Sequence, residues 1–167
     1  MQTKPTIRPA TRQDLSAMLT IYNTEVKHST ATFDLQEKTI EEWTEWFQYH
    51  GDETHPIFIA EVEGNVAGYA SLSQYREKEA FKTTVELSIY IDKQYRGKGI
   101  ADALMQHIIQ YAKQTAGIHC IISVITTGND ISVHLHKKYG FTYAGTLHEV
   151  GNKFGEYCGI DNYELIL

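Results

Sequence analysis

The chain has 167 residues, 42% of them hydrophobic, which suits one domain built around one core. Its net charge of -6 counts against a general nucleic-acid role, because phosphate backbones call for clustered Lys and Arg. Two cysteines, Cys120 and Cys158, cannot build a disulfide framework, no secretory apolar region follows Met1, and no apolar run is long enough to span a membrane, so the cytoplasm is the expected compartment.

No repeat, low-complexity tract or linker interrupts the chain, so residues 1–167 are read as a single domain. "TIRPA" reads as a short strand, and Thr11 with Asp14 three residues on reads as a helix start. Leu15, Met18, Leu19 and Tyr22 then recur at helical spacing. Thr39 and Glu42 form a capping-box pattern for a second helix, whose apolar face is Trp43, Trp46 and Phe47. "PIFIAEV" and "VAGYASL" flank "EGN", a hairpin signal. In "TTVELSIYID", Val85, Leu87, Ile89 and Ile91 share one strand face. A helix is expected over residues 99–116, with Ile100, Leu104, Ile108 and Ala112 in register and Gly117 at its C-cap. "HCIISVI" reads as a buried strand with Cys120 as core. Asn129 or Asp130 caps a short helix that ends before Gly140, and "FTYAGTL" and "DNYELIL" close the fold. The order β-α-α-β-β-β-α-β-α-β-β is mixed α/β, with antiparallel strands early and a crossover helix in the middle.

Between the middle strand and the long helix lies "QYRGKGIADALM", beginning at Gln94. Glycines let a backbone approach an anion closely, and the first free N–H groups of a helix favour negative charge. Arg96 and Lys98 add positive charge. A phosphate site and an ordinary turn with basic decoration are both open on spacing alone. A Walker loop is excluded, because Ile100 stands where the Lys of G-K-[ST] is needed, and a dinucleotide fingerprint lacks its third glycine. The eight histidines are scattered, without the spacing of metal ligands.

The pattern Q-x-x-G-x-G after a strand and opening a helix resembles motif A of the GNAT acetyltransferases, and "NDISVHLHKKYGF" resembles their later helix-and-strand segment. "IYNTEV", "STATF", "EEWTEWF", "TVELSIYI" and "GNKFG" are similar to one branch, the phosphinothricin and methionine sulfoximine/sulfone N-acetyltransferases, nearly end to end. The resemblance implies a GNAT fold, α/β with a mixed, mostly antiparallel sheet splayed at the acetyl-CoA site and flanked by helices. Acetyl-CoA is the implied co-substrate, and the acyl group passes directly to an amine without a protein nucleophile. Pantetheine is expected along the backbone of Ile89, Tyr90 and Ile91, and the pyrophosphate at Arg96, Gly97, Lys98, Gly99, Ile100, Ala101 and Asp102. Asn129, with Ser132 one turn on, is expected at the pantetheine arm, although a plain N-cap is the alternative and both roles can coexist.

Glu86 alternates with Val85 and Leu87 and so points away from their face. Alone it reads as a solvated strand residue, whereas the resemblance makes it the general base, with a pKa raised by burial in the cleft. His136 falls where the superfamily places a proton donor to the leaving thiolate, and its plain reading is a capping or packing histidine. For the acceptor, the resemblance points to Arg76 and Lys78 as cations for an anionic group, with Phe33 as an apolar wall and Ser88 and Glu86 on the strand. Glu77 and Glu79 interleave with those cations, so a self-neutralised loop is the other reading. The chain departs from the branch at Lys78, Phe81, Tyr157 and Gly159, which favours the general class of small α-amino acids over phosphinothricin itself. A homodimer is implied, with no nucleic acid, membrane or metal. Two rival readings remain: a peptide or protein N-acetyltransferase, and a non-catalytic acetyl-CoA sensor.

Overall fold

The computed structural model describes residues 4–167. Its strands are β1 (Thr6–Pro9), β2 (Ile57–Val62), β3 (Asn65–Gln74), β4 (Thr84–Ile91), β5 (Cys120–Thr126), β6 (Thr142–Lys153) and β7 (Glu156–Ile166). The helices are α1 (Leu15–His28), α2 (Ile40–Gln48), α3 (Ile100–Gln114) and α4 (Asp130–Lys138). The seven strands make one sheet in the order β1-β2-β3-β4-β5-β7-β6. Every neighbouring pair is antiparallel except β4 and β5, which α3 connects as the crossover a parallel pair requires.

Strand alternation assigns each side chain to a face. Ala70 and Leu72 of β3 and Val85 and Leu87 of β4 pack on one side with Leu104, Met105 and Ile108 of α3. The intervening Tyr69, Ser71 and Ser73 lie directly across from Tyr90, Ser88 and Glu86, so these six share the opposite face. That face is covered by α1 and α2 through Leu15, Met18, Ile21 and Trp43. The α2 start follows its sequence signal, with the Thr39 N–H donating to Glu42 at 2.8 Å and the Glu42 N–H to Thr39 at 3.2 Å.

The Thr11 start signal holds: Thr11 is the N-cap of a one-turn 3-10 helix, Arg12–Asp14, that leads into α1, and its N–H donates to the Asp14 carboxylate at 2.7 Å. Three local expectations are corrected. Helix α3 stops at Gln114 with Thr115 as C-cap. Gly117 instead allows close packing, since a Cβ there would lie 2.7 Å from the Thr54 methyl. The closing strands run far longer than their apolar cores, because β6 and β7 continue through "GNKFGEYCG" to a tight turn in which Phe154 and Gly155 take φ of 56° and 81°. Both residues at positive φ is the primed hairpin turn that matches strand twist. Register shifts at 143–145 and 147–151 break the alternation that would have shown the extensions in the sequence. Cys120, read as core, is half-buried, and both cysteines are free.

Gly68 sits opposite Ile91, and a Cβ there would lie 2.8 Å from the Tyr90 carbonyl oxygen and 2.7 Å from the Ile91 side chain. A backbone oxygen cannot swing aside. Gly68→Ala is therefore expected to lower stability by about 1–3 kcal/mol, measured by urea denaturation, through displacement of the end of β4.

Candidate active site

Strands β4 and β5 pair at Thr84↔Cys120, Val85↔Ile121 and Glu86↔Ile122, and then part. From Leu87 to Ile91 the β4 edge toward β5 has no strand partner. The gap opens into a cleft of about 830 Å³, closed by the N-terminus of α3 on one side and α4 on the other. All the residues expected at acetyl-CoA line this cleft except Lys98. The Lys98 ammonium instead lies 5.3 Å from the centre of the Tyr95 ring.

The turn is built for positive φ, with Gly97 at 72° and Gly99 at 77°. A Cβ at either glycine would meet nothing within 4 Å, so the conformation, not crowding, calls for glycine. Gly99 is the N-cap of α3 and supplies no side-chain cap, which leaves the first N–H groups of the helix directed at the cleft. Arg96 pairs with the buried Glu25 of α1, and Asp102 pairs with Lys138. The Asp102 carboxyl is held below its ordinary pKa mainly by that hydrogen bond. Asn129 caps α4 by accepting from the Ser132 N–H at 3.2 Å, so the capping reading of Asn129 is realised while both residues also line the cleft. Open glycines, free helix N–H groups and an unpaired strand edge suit a phosphorylated, peptide-like arm.

On the other side of Tyr90 lies a second, smaller pocket of about 330 Å³, between α2 and the β3–β4 ladder. Tyr90 lines both cavities. Ser88 lines the small pocket, as does Ser73, the cross-strand partner of Glu86. Glu86 is half-buried at the point where β4 and β5 part, and burial alone pushes its pKa up. Among the described residues no hydrogen bond or ion pair engages it, so its carboxylate is free to take a proton.

Other expected residues stand elsewhere. His136 is 2% exposed and lines neither cavity; its Nδ1–H donates to the Ser132 carbonyl at 2.7 Å, and its ring meets Phe141 edge-on at 5.0 Å. Burial lowers its pKa, so it stays neutral. His136 thus sits packed inside the fold, and His134 lines the cleft. Phe33 packs on Gly151, where a Cβ would lie 2.5 Å from its ring, and lines neither pocket. Arg76 and Lys78 are exposed, and the Arg76 guanidinium lies 5.1 Å from the Tyr75 ring centre and 5.7 Å from that of Phe81. Neither cation lines the small pocket, although both follow β3 at its Ser73 end.

Sequence reasoning also missed several participants. Ser73 and His50 form a serine–histidine pair at 2.8 Å. The His50 Nδ1–H donates to the Trp46 carbonyl at 2.8 Å, so Nε2 accepts from Ser73. Among the described residues no carboxylate hydrogen-bonds to this histidine, and burial lowers its pKa. Lys153, 3% exposed, donates to the Thr32 carbonyl at 2.7 Å and pins the loop between α1 and α2 against β6. Tyr22 donates to Asp34 of the same loop. Apart from the local His50–Trp46 bond, these pairings join residues 12 to 121 positions apart, and no local pattern announces them.

An acetyltransferase (GNAT) domain model matches residues 7–161. The L-methionine sulfoximine/L-methionine sulfone acetyltransferase of Pseudomonas aeruginosa is 35% identical over 96% of this chain and 94% of its own. The phosphinothricin N-acetyltransferase of Streptomyces viridochromogenes is 34% identical over 89% of this chain and 80% of its own. Among solved structures, the ribosomal-protein-alanine N-acetyltransferase of Brucella melitensis superposes with a TM-score of 0.93 at 36% identity, covering 97% of this chain and 99% of that one. YncA of Salmonella typhimurium, solved with its cofactor acetyl-CoA, superposes with a TM-score of 0.94 at 31% identity, covering 99% and 95%. The splayed sheet, the glycine turn and these matches together place the chain in the GNAT acetyltransferase family, as an acyltransferase that uses acetyl-CoA as co-substrate and acts on amino groups.

Proposed function

We propose that the chain acetylates the amino group of a small amino-acid-like acceptor, of the methionine sulfoximine/sulfone or phosphinothricin class, by direct transfer with Glu86 as general base. The observation that carries this reading is the half-buried, unpartnered Glu86 at the parting of β4 and β5, beside a small pocket that shares Tyr90 with the acetyl-CoA cleft. Acetyl-CoA supplies the acetyl group as a thioester. Ile89, Tyr90 and Ile91 offer the free β4 edge to its arm, and Gly97, Gly99, Ile100 and Ala101 offer backbone N–H groups to its phosphates, beside Arg96 in its pair with Glu25. The Glu86 carboxylate takes the proton that the acceptor ammonium must lose. Burial raises its basicity for that task. The Ser73 hydroxyl is committed to His50, so it presents lone pairs to the same ammonium.

Arg76 and Lys78, at the Ser73 end, would take the acceptor's carboxylate. A homodimer in the cytoplasm belongs to the same reading, supported by the exposed apolar Leu147, Val150, Phe154 and Tyr157 on β6, β7 and their turn. The similarity to a ribosomal-protein-alanine N-acetyltransferase favours a second reading, in which the amine belongs to a protein N-terminus.

Glu86→Gln is expected to lower kcat about 100-fold and to remove the acidic limb of the kcat/KM profile, read as CoA thiol release; wild-type kcat/KM at every pH would overturn the role. The same variant tests the burial of the charge. A carboxyl whose folded-state pKa lies above its ordinary 4.5 destabilises the protein as pH rises through the window between the two. Glu86→Gln should therefore melt higher than wild type at neutral pH, with the gap closing below pH 4.5. Arg76→Ala with Lys78→Ala should raise KM about tenfold or more for an anionic amino-acid acceptor and leave that for acetyl-CoA unchanged. Activity on peptides spared by that double change would favour the protein-acetylating reading. Mass spectrometry after incubation with acetyl-CoA alone should find no acetylated Ser73, as direct transfer requires.

A further inference from the structure

The small pocket is walled by the stacked indoles of Trp43 and Trp46, 4.5 Å apart, and floored by Tyr69 and Ser71 of β3. Three of the residues that line it carry a polar atom buried without a hydrogen-bond partner among the described residues: Trp43 Nε1 and the hydroxyls of Tyr69 and Ser71. The three residues are 4%, 1% and 1% exposed. Buried polar groups are rarely left unpaired, because each forfeits its hydration without return. Here three gather on one pocket, and the other such atom, the Ser123 hydroxyl, lies on β5 outside it. Trp43 Nε1–H can only donate, so whatever completes it must carry an acceptor.

The charged groups at the rim already have partners within the fold. Asp34 accepts from Tyr22 and lies 3.5 Å from the Lys38 ammonium, while Glu42 accepts from the Thr39 N–H. Recognition inside the pocket therefore falls to its neutral groups. The pocket is also polarised along β3. Ser73 gives its proton to His50 and offers only lone pairs beside Glu86, whereas Ser71, Tyr69 and Trp43 have donors to spare. Ser73 and Ser71 are two residues apart on one face, about 7 Å. That matches the distance from the amine of an extended amino acid to a polar group near the end of a four- or five-atom side chain.

We infer that this pocket is the side-chain subsite of the acceptor, and that Trp43, Tyr69 and Ser71 select an oxygen-bearing side chain, such as a sulfone, over a thioether or hydrocarbon of the same length. The inference rests on the amino-acid-acetylating reading above and adds the residues that choose among amino acids. An ammonium sits at the Glu86 end, and the side-chain oxygens accept hydrogen bonds from the three donors at the other.

The two tryptophans of the chain both line this pocket, so their emission reports its filling without turnover. Wild type, Tyr69→Phe and Ser71→Ala are titrated with methionine sulfone and with methionine, in the presence of CoA. In wild type the sulfone should bind about tenfold tighter than the thioether, and each variant should cut that ratio about threefold to tenfold. Both variants should melt at or above the wild-type temperature, because each removes a buried hydroxyl that has no partner. Equal affinities in wild type, no emission change with either ligand, a ratio untouched by both variants, or a loss of several degrees on melting would each overturn the inference. CoA thiol release separates it from the functional reading. Discriminating sulfone binding with no amino acid acetylated would sink that reading and spare the subsite, whereas acetylation without discrimination would do the reverse.

Discussion

The parting of β4 from β5 after Glu86 and Ile122 is the constraint on which the site depends. A parallel pair that continued to Ile91 would close the larger cleft. The sheet can tolerate the break because each strand keeps its other neighbour. β4 stays paired to β3 from Val85 to Ile91, and β5 stays paired to β7 along its full length. The unpaired strand edge is thus a cost confined to one side of one strand, where a peptide-like ligand can satisfy it.

Covering layers hold the break open. On one face the buried row Ile100, Leu104, Met105 and Ile108 fixes α3, and with it the glycine turn, against the sheet. On the other, α1 and α2 press Trp43 and Tyr22 toward Tyr69 and Tyr90, whose ring centres lie 5.6 Å apart. The loop between those helices is tied to β5 through Thr126 and to β6 through Lys153. Tyr90 becomes a partition, with the larger cleft on one side and the smaller pocket on the other.

Charge is handled differently in the two cavities. In the larger cleft the fixed charges are compensated before any ligand arrives, Arg96 by Glu25 and Asp102 by Lys138. Backbone dipoles at the α3 N-terminus remain available for an anion. Glu86, which lines neither cavity but lies across from Ser73 of the smaller one, is left uncompensated, and an isolated carboxylate near low-dielectric surroundings is a better base than one held by a cation. The same contrast separates Glu86 from Asp14, whose carboxylate is buried against Arg8 at 2.8 Å and held below its ordinary pKa by that hydrogen bond.

Local pattern alone determined much of this protein. Alternation in "TTVELSIYID" set Glu86 against Val85 and Leu87, the capping box at Thr39 started α2, and the two glycines around Lys98 marked the positive-φ turn that opens α3. These are short-range consequences of dihedral preference and period, and the motif set around them carried the family. What lies across the chain was decided only by tertiary structure. The burial of His136 against Phe141, the removal of Phe33 to Gly151, the Ser73–His50 pair and the bulged extensions of β6 and β7 depend on which surfaces meet after folding. The smaller pocket is the extreme case. Trp43 reads in the sequence as an apolar helix position, yet its indole N–H, with the hydroxyls of Tyr69 and Ser71, is stranded in a cavity. Spacing reports which face a side chain takes, whereas packing alone decides whether a partner waits there.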